Sequence, residues 1–107
     1  MNITYIVKTT TVTNRGKREV LIDAGTLHEL RPILCGFGGV GKGIEGVVSE
    51  ANAKHERRAA RGLYRFRFTE LISQNEAKAI YAKVKAQGSG RYAKICFNMK
   101  AMELISK

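Results

Sequence analysis

Between Gly62 and Met99 the hydrophobic period changes twice, and nothing else in the chain constrains the fold as strongly. GLYRFRFT (62–69) alternates, with Tyr64, Phe66 and Phe68 on one side and Leu63, Arg65 and Arg67 on the other. Successive side chains of a strand point to opposite faces, so this reads as a strand with an aromatic inner face and a basic outer one. Ser73-Gln-Asn-Glu76 then has the form of a capping box, which opens a helix over SQNEAKAIYAKVKAQ. Ala77, Ile80, Tyr81 and Val84 recur at helical spacing there, and Gly88 is a natural stop. RYAKICFNM (91–99) alternates again, placing Ala93, Ile95, Phe97 and Met99 on one face. The last third is therefore a β-α-β unit.

The first third predicts a hairpin. NITYIVKTTTV (2–12) is β-branched and alternates at Ile3, Tyr5 and Val7. Thr13-Asn-Arg-Gly16 supplies turn residues, and KREVLID (17–23) is the returning strand. Thr26-Leu-His-Glu29 is a second capping box, and Pro32 predicts that its helical turn is brief. SEANAKHERRAA (49–60) has good helix formers but few apolar residues, which predicts a solvated helix. At 107 residues the chain fits one domain. The expected fold is α+β: a four-stranded, mainly antiparallel sheet with an N-terminal β-hairpin, a C-terminal β-α-β unit and a flexible glycine-rich loop at 36–46.

Charge defines the class of partner. The chain carries a net charge of +10, and its distribution is uneven. Residues 1–53 hold six Lys/Arg against five Asp/Glu, whereas residues 54–107 hold thirteen against four. Such asymmetry points to a polyanion, with nucleic acid ahead of an anionic membrane or an acidic protein surface. KHERRAARGLYRFR (54–67) concentrates six basic residues, Lys54, Arg57, Arg58, Arg61, Arg65 and Arg67, against Glu56 alone. With Tyr92 and Lys94 on the following strand, and Lys42 in the glycine loop, these form the expected nucleic-acid-binding set. Arginine stacks on bases as well as pairing with phosphates, so a basic sheet face suits RNA or single-stranded DNA.

Arg61-Gly-Leu-Tyr-Arg-Phe-Arg-Phe68 resembles the RNP1 segment of RNA-recognition motifs in its basic residue, glycine and final aromatic. The helix and strand that follow also resemble the second half of that fold. The resemblance covers about 45 residues and implies RNA binding on a sheet face. It departs at the third and fifth positions, where the family stacks aromatics on bases and this chain has Leu63 and Arg65.

Gly36-Phe-Gly-Gly-Val-Gly-Lys42-Gly43 fits a phosphate-binding loop, G-x-x-x-x-G-K-[ST], at every fixed position but the last. Gly43 stands where a hydroxyl would hold magnesium, and the chain's single Asp, Asp23, lies upstream of the loop. A flexible surface loop, or a backbone contact to phosphate without hydrolysis, is expected. The G-x-x-G spacings also resemble the backbone clamp of KH domains.

The remaining residues argue against chemistry. Cys35 and Cys96 are far apart and are expected as free thiols, and with only His28 and His55 beside them a zinc site is not expected. Acidic pairs for two-metal catalysis are absent. No apolar run approaches the ~18–20 residues of a membrane span, and the N-terminus does not read as a signal peptide. The expectation is a non-catalytic, cytoplasmic nucleic-acid-binding protein without cofactor, metal or membrane association. The alternative is a small interaction module or inhibitor that blocks a host nucleoprotein or nucleic-acid-binding site, as one encoded by a virus or mobile element would.

Overall fold

The structure, a computed structural model, describes residues 3–87 and 94–106. Eight elements follow one another: β1 (Tyr5–Val12), β2 (Arg18–Gly25), α1 (Leu27–Cys35), α2 (Ile44–Ala60), β3 (Phe66–Ile72), α3 (Gln74–Gln87), β4 (Lys94–Phe97) and α4 (Met99–Ile105). The domain is α+β, and its four strands form one sheet in the order β3-β1-β2-β4. β1 pairs antiparallel with both β2 and β3, while β4 joins β2 in parallel, so the sheet is mixed. The expected hairpin is present, closed by the Thr13–Lys17 turn with Gly16 at φ 83°. β3, α3 and β4 form the expected β-α-β unit, but its two strands lie at opposite edges with the hairpin between them.

Each sheet face carries its own core. Val7 on the first face packs with Leu30, Leu34 and Cys35 of α1 and Val47 and Ala51 of α2. Ile6, Val20, Ile22 and Ala24 on the second face pack with Ala77 of α3 and Ala101 of α4, flanked by Ile72, Ile80, Ile95 and Phe97. The helix over 74–87 thus presents Ala77 and Ile80 to the sheet as its spacing predicts. Tyr81 meets Phe97 edge to face at 5.6 Å, and the Ser73 capping box forms as expected.

Four expectations need correction. α1 runs through Pro32 for nine residues, because burying Leu30, Leu34 and Cys35 outweighs the one helical hydrogen bond that proline removes. α2 begins at Ile44, not Ser49, with Gly43 as its N-cap. Val47 and Ala51 are fully buried there, so this helix has an apolar stripe after all. The last strand ends at Phe97, where Asn98 caps a fourth helix and leaves Met99 exposed.

The fourth correction concerns Phe66 and Phe68, which are about half exposed, at 49% and 43%, rather than core. Their register opposite Val12 and Thr10 puts them on the second face, with Ile6 and Ile72. The helices on that face bury the rows around Ile6 and Ile22 and leave the hairpin end of β3 open.

β3 and β2 are each clamped by an asparagine where no neighbouring strand pairs them. Asn52 of α2 accepts from the Thr69 N–H at 2.7 Å and donates to the Thr69 carbonyl at 2.8 Å. Asn98 does the same to Ala24, at 3.1 Å in both directions, just past the end of β4. A side-chain amide offers one donor and one acceptor in the geometry of a strand, so each clamp occupies backbone that would otherwise recruit another chain.

Candidate nucleic-acid interface

Topology gathers basic residues at one end of the sheet. β1 ends and β2 begins at the hairpin turn, which carries Arg15, Lys17 and Arg18. α2 ends and β3 begins at the same end, bringing Arg57, Arg58, Arg61 and Arg65. The two groups are held together by short contacts. Asn14 donates to the Gly62 carbonyl at 2.8 Å, and the Arg65 N–H donates to the Val12 carbonyl at 3.0 Å. Gly16 closes the turn with a positive φ, and a Cβ there would lie 3.6 Å from Nη1 of Arg65. Arg15, Lys17, Arg18, Arg57, Arg61 and Arg65 are exposed. Among the described residues, none of the seven lies within ion-pair distance of a carboxylate, although Glu19 and Glu56 are in the same region.

The sequence-predicted residues do not all meet here. Arg57, Arg58, Arg61 and Arg65 do. Arg67 lies at the same end, but its side chain serves the fold. Its guanidinium sits 4.1 Å from the centre of the Tyr64 ring, and its Nε donates to Oγ1 of Thr11 at 2.9 Å. Arg67 therefore lies on the first face among partners, not on an outer face opposite Tyr64. Lys54 is half-buried and reaches toward Gly36, 3.9 Å from where a Cβ would stand. Lys42 is ion-paired with Glu50 at 3.0 Å, and the 17-residue α2 puts it about 25 Å from the basic end. Lys94 is exposed, but β4 lies three strands from β3, about 14 Å away. A single face joining Arg61, Arg65 and Arg67 to Lys94 across adjacent strands does not form. Tyr92 falls outside the described residues.

His55, within the basic run of residues 54–67, is buried on the inner side of α2. Its Nε2 shares a hydrogen bond with Oγ1 of Thr69 at 3.0 Å, and Thr69 shares another with Oγ1 of Thr9 at 2.9 Å. Burial, and then the charges of Arg67, Arg58 and Lys54, lower its pKa to about 4, so the ring is neutral at pH 7. Burial and the nearby Glu50 likewise push the Cys35 thiol up, and Cys35 and Cys96 are both free. Among the described residues no group of three His, Cys, Asp or Glu is placed to hold a metal ion, and no helix is long and apolar enough to cross a membrane.

The glycine loop joins two helices. Paired turns, with hydrogen bonds from Gly38 N–H to the Cys35 carbonyl at 2.9 Å and from Lys42 N–H to the Gly39 carbonyl at 3.1 Å, carry the chain from α1 to α2. Gly39 has φ 77° and faces Val47 so closely that a Cβ would approach to 3.3 Å. The loop delivers the chain to a helix N-terminus, but what precedes it is a helix and not the strand of a nucleotide-binding unit.

Arg15, Lys17 and Arg18 were missed in sequence because half-chain charge sums diluted them with Glu19 and Asp23. The run RGKR carried the signal. Nothing in the sequence marked Asn52 or Asn98 as clamps, since each answers backbone brought up from elsewhere in the chain. Comparison with protein-family models, with curated proteins and with solved structures yields no match.

Proposed function

We propose that the protein binds nucleic acid through the basic end of its sheet, without catalysis, and prefers RNA or single-stranded DNA. The observation that carries this reading is the convergence of Arg15, Lys17 and Arg18 with Arg57, Arg58, Arg61 and Arg65 from a separate part of the chain. Like charges repel, so assembling them without carboxylate partners costs stability, which a polyanion would recover. Single strands are preferred over duplex because α2 lies on the sheet by Val47, Ala51 and His55. Its basic residues cluster at its last turns, where they are poorly placed to enter a groove along the helix. A non-catalytic role is supported by His55, which is buried and surrounded by positive charge.

Fluorescence anisotropy with labelled single-stranded RNA, single-stranded DNA and duplex, at several salt concentrations, tests the proposal. Arg57→Glu/Arg61→Glu should weaken binding at least ten-fold, about 1.4 kcal/mol. The salt slope of log affinity should fall by roughly 0.7–0.9 for each phosphate that the variant no longer neutralises. Wild-type protein that binds none of the three would remove the reading.

A second reading, an interaction module or inhibitor, is favoured by the apolar side chains exposed in one short segment: Ile33, Phe37 and Val40, with Phe37 wholly in solvent. Large apolar side chains held in solvent so close together in sequence are candidates for a protein–protein contact. Under that reading a nuclease-resistant complex would be lost in Phe37→Ser and kept in Arg57→Glu/Arg61→Glu.

A further inference from the structure

The open part of the second sheet face carries two aromatic rings, with Arg18 toward the hairpin end and the Lys8–Glu70 ion pair, at 3.8 Å, on the other side. Phe66 and Phe68, two residues apart on the edge strand β3, lie with ring centroids 6.4 Å apart and planes within 20° of parallel. Across the strands Phe66 is opposite Val12 and Phe68 opposite Thr10, and Val12 is opposite the exposed Arg18. An exposed aromatic pair on an edge strand is an aggregation hazard, and burying it would add apolar area to the core. The chain leaves it open, beside Arg18 on β2 and Arg65 just before β3.

We infer that Phe66 and Phe68 are a stacking platform for unpaired bases, with Arg18 and Arg65 holding the flanking phosphates. This inference rests on the nucleic-acid reading above and names what the site takes: an opened single strand. Charge complementarity selects that occupant: arginines border the ring pair at the hairpin end, Glu70 on the other side is already matched by Lys8, and an apolar partner would have to strip those charges of water. Spacing selects the strand state. The 6.4 Å between rings is about twice the ~3.4 Å rise per nucleotide of a stacked strand. A base lying on either ring, or between them, has therefore left the stack of its neighbours, as duplex bases cannot. Every base has a π-face, so the platform should tolerate any sequence. The positions differ from those that the RNA-recognition resemblance would use, Leu63 and Arg65, both of which precede β3.

The test separates the rings from the charges. Phe66→Leu/Phe68→Leu keeps apolar bulk at exposed sites, so its thermal melt should match the wild type. It should bind a single-stranded oligonucleotide at least ten-fold more weakly, with an unchanged salt slope and unchanged affinity for duplex. The chain has no tryptophan, so Phe68→Trp supplies a lone reporter whose emission should be quenched by the same oligonucleotide. Wild-type affinity in the leucine pair, an equal loss on single strand and duplex, or unquenched emission on saturation would each overturn the platform. If Arg57→Glu/Arg61→Glu still lost binding in those cases, the nucleic-acid reading would stand without it. Absence of any binding by the wild type would overturn both.

Discussion

At the scale of single residues, the two arginines that alternate through the start of β3 have different jobs. Arg65 is exposed beside the hairpin turn, whereas Arg67 stacks on Tyr64 and bonds Thr11. Arg65→Glu should therefore leave the melt unchanged. Arg67→Glu should cost roughly 1–2 kcal/mol, because it removes the hydrogen bond and the cation–π pairing. Equal melts for the two variants would show that the Tyr64–Arg67 pairing contributes nothing. His55 makes a separate prediction. Its pKa is about 4 in the folded chain against an ordinary 6.5, so between those values the unfolded chain binds a proton that the folded chain does not. The contribution to stability is complete above pH 6.5 and is lost as pH falls toward 4. A shift of that size sets a ceiling of about 3 kcal/mol, and solvent screening should leave roughly 1–2. His55→Gln should flatten the slope of denaturation free energy with pH in that window. A slope identical to the wild type would mean that other groups cause it. In the sequence His55 was indistinguishable from its basic neighbours, because its burial depends on Thr69 meeting it from the sheet.

At the scale of elements, periodicity identified strands and helices better than it identified what covers them. Phe66 and Phe68 do share a face, but Tyr64, before β3, is buried under Arg67 on the other one, and alternation says only that residues share a face. Whether that face is covered depends on where α3 and α4 lie, which no local pattern records. The same limit applies within α3, whose expected face is Ala77, Ile80, Tyr81 and Val84. Ala77 is fully buried, while Val84 is half-buried and outside the packed cluster. Ala77→Asp should accordingly cost several kcal/mol, enough to threaten a domain of ordinary stability. Val84→Asp should be markedly milder, and the reverse order in urea denaturation would reject this placement of α3. The Asn52 clamp was not legible, since its signal lies in Thr69, seventeen residues away. Asn52→Ala leaves a backbone donor and acceptor of Thr69 without their partner, at roughly 1–3 kcal/mol for each group that stays buried. It also opens the β3 edge, so the variant should both melt lower and self-associate on size-exclusion chromatography. A monomer with the wild-type melt would show that water replaces the amide without loss.

At the scale of the whole molecule, the basic character of the chain was legible in the sequence and its location was not. Dividing the chain at residue 53 assigned nearly all the excess charge to the second half. The fold draws on both halves, because the β1–β2 turn docks onto the α2–β3 connection. It also separates what the sequence grouped: Lys42 lies at the far end of α2 and Lys94 at the far edge of the sheet. These placements make a prediction that the sequence could not. Arg15→Glu/Lys17→Glu should weaken nucleic-acid binding about as much as Arg57→Glu/Arg61→Glu, ten-fold or more, although the first pair lies in the nearly neutral half. Both should reduce the salt slope, since both act on phosphates rather than on base stacking. Lys42→Gln should bind as the wild type does, because its charge is already matched by Glu50 and lies far from the cluster. Lys94→Gln should lose less than either pair, since it removes one charge, opposite Glu19 and three strands from β3. Anisotropy titrations of the four variants at matched salt, each with a circular-dichroism melt, give the comparison. If Lys42 or Lys94 controlled affinity while the hairpin pair were silent, the binding surface would follow the linear sequence and not this end of the sheet. The interface assigned to the hairpin and α2 would then be wrong.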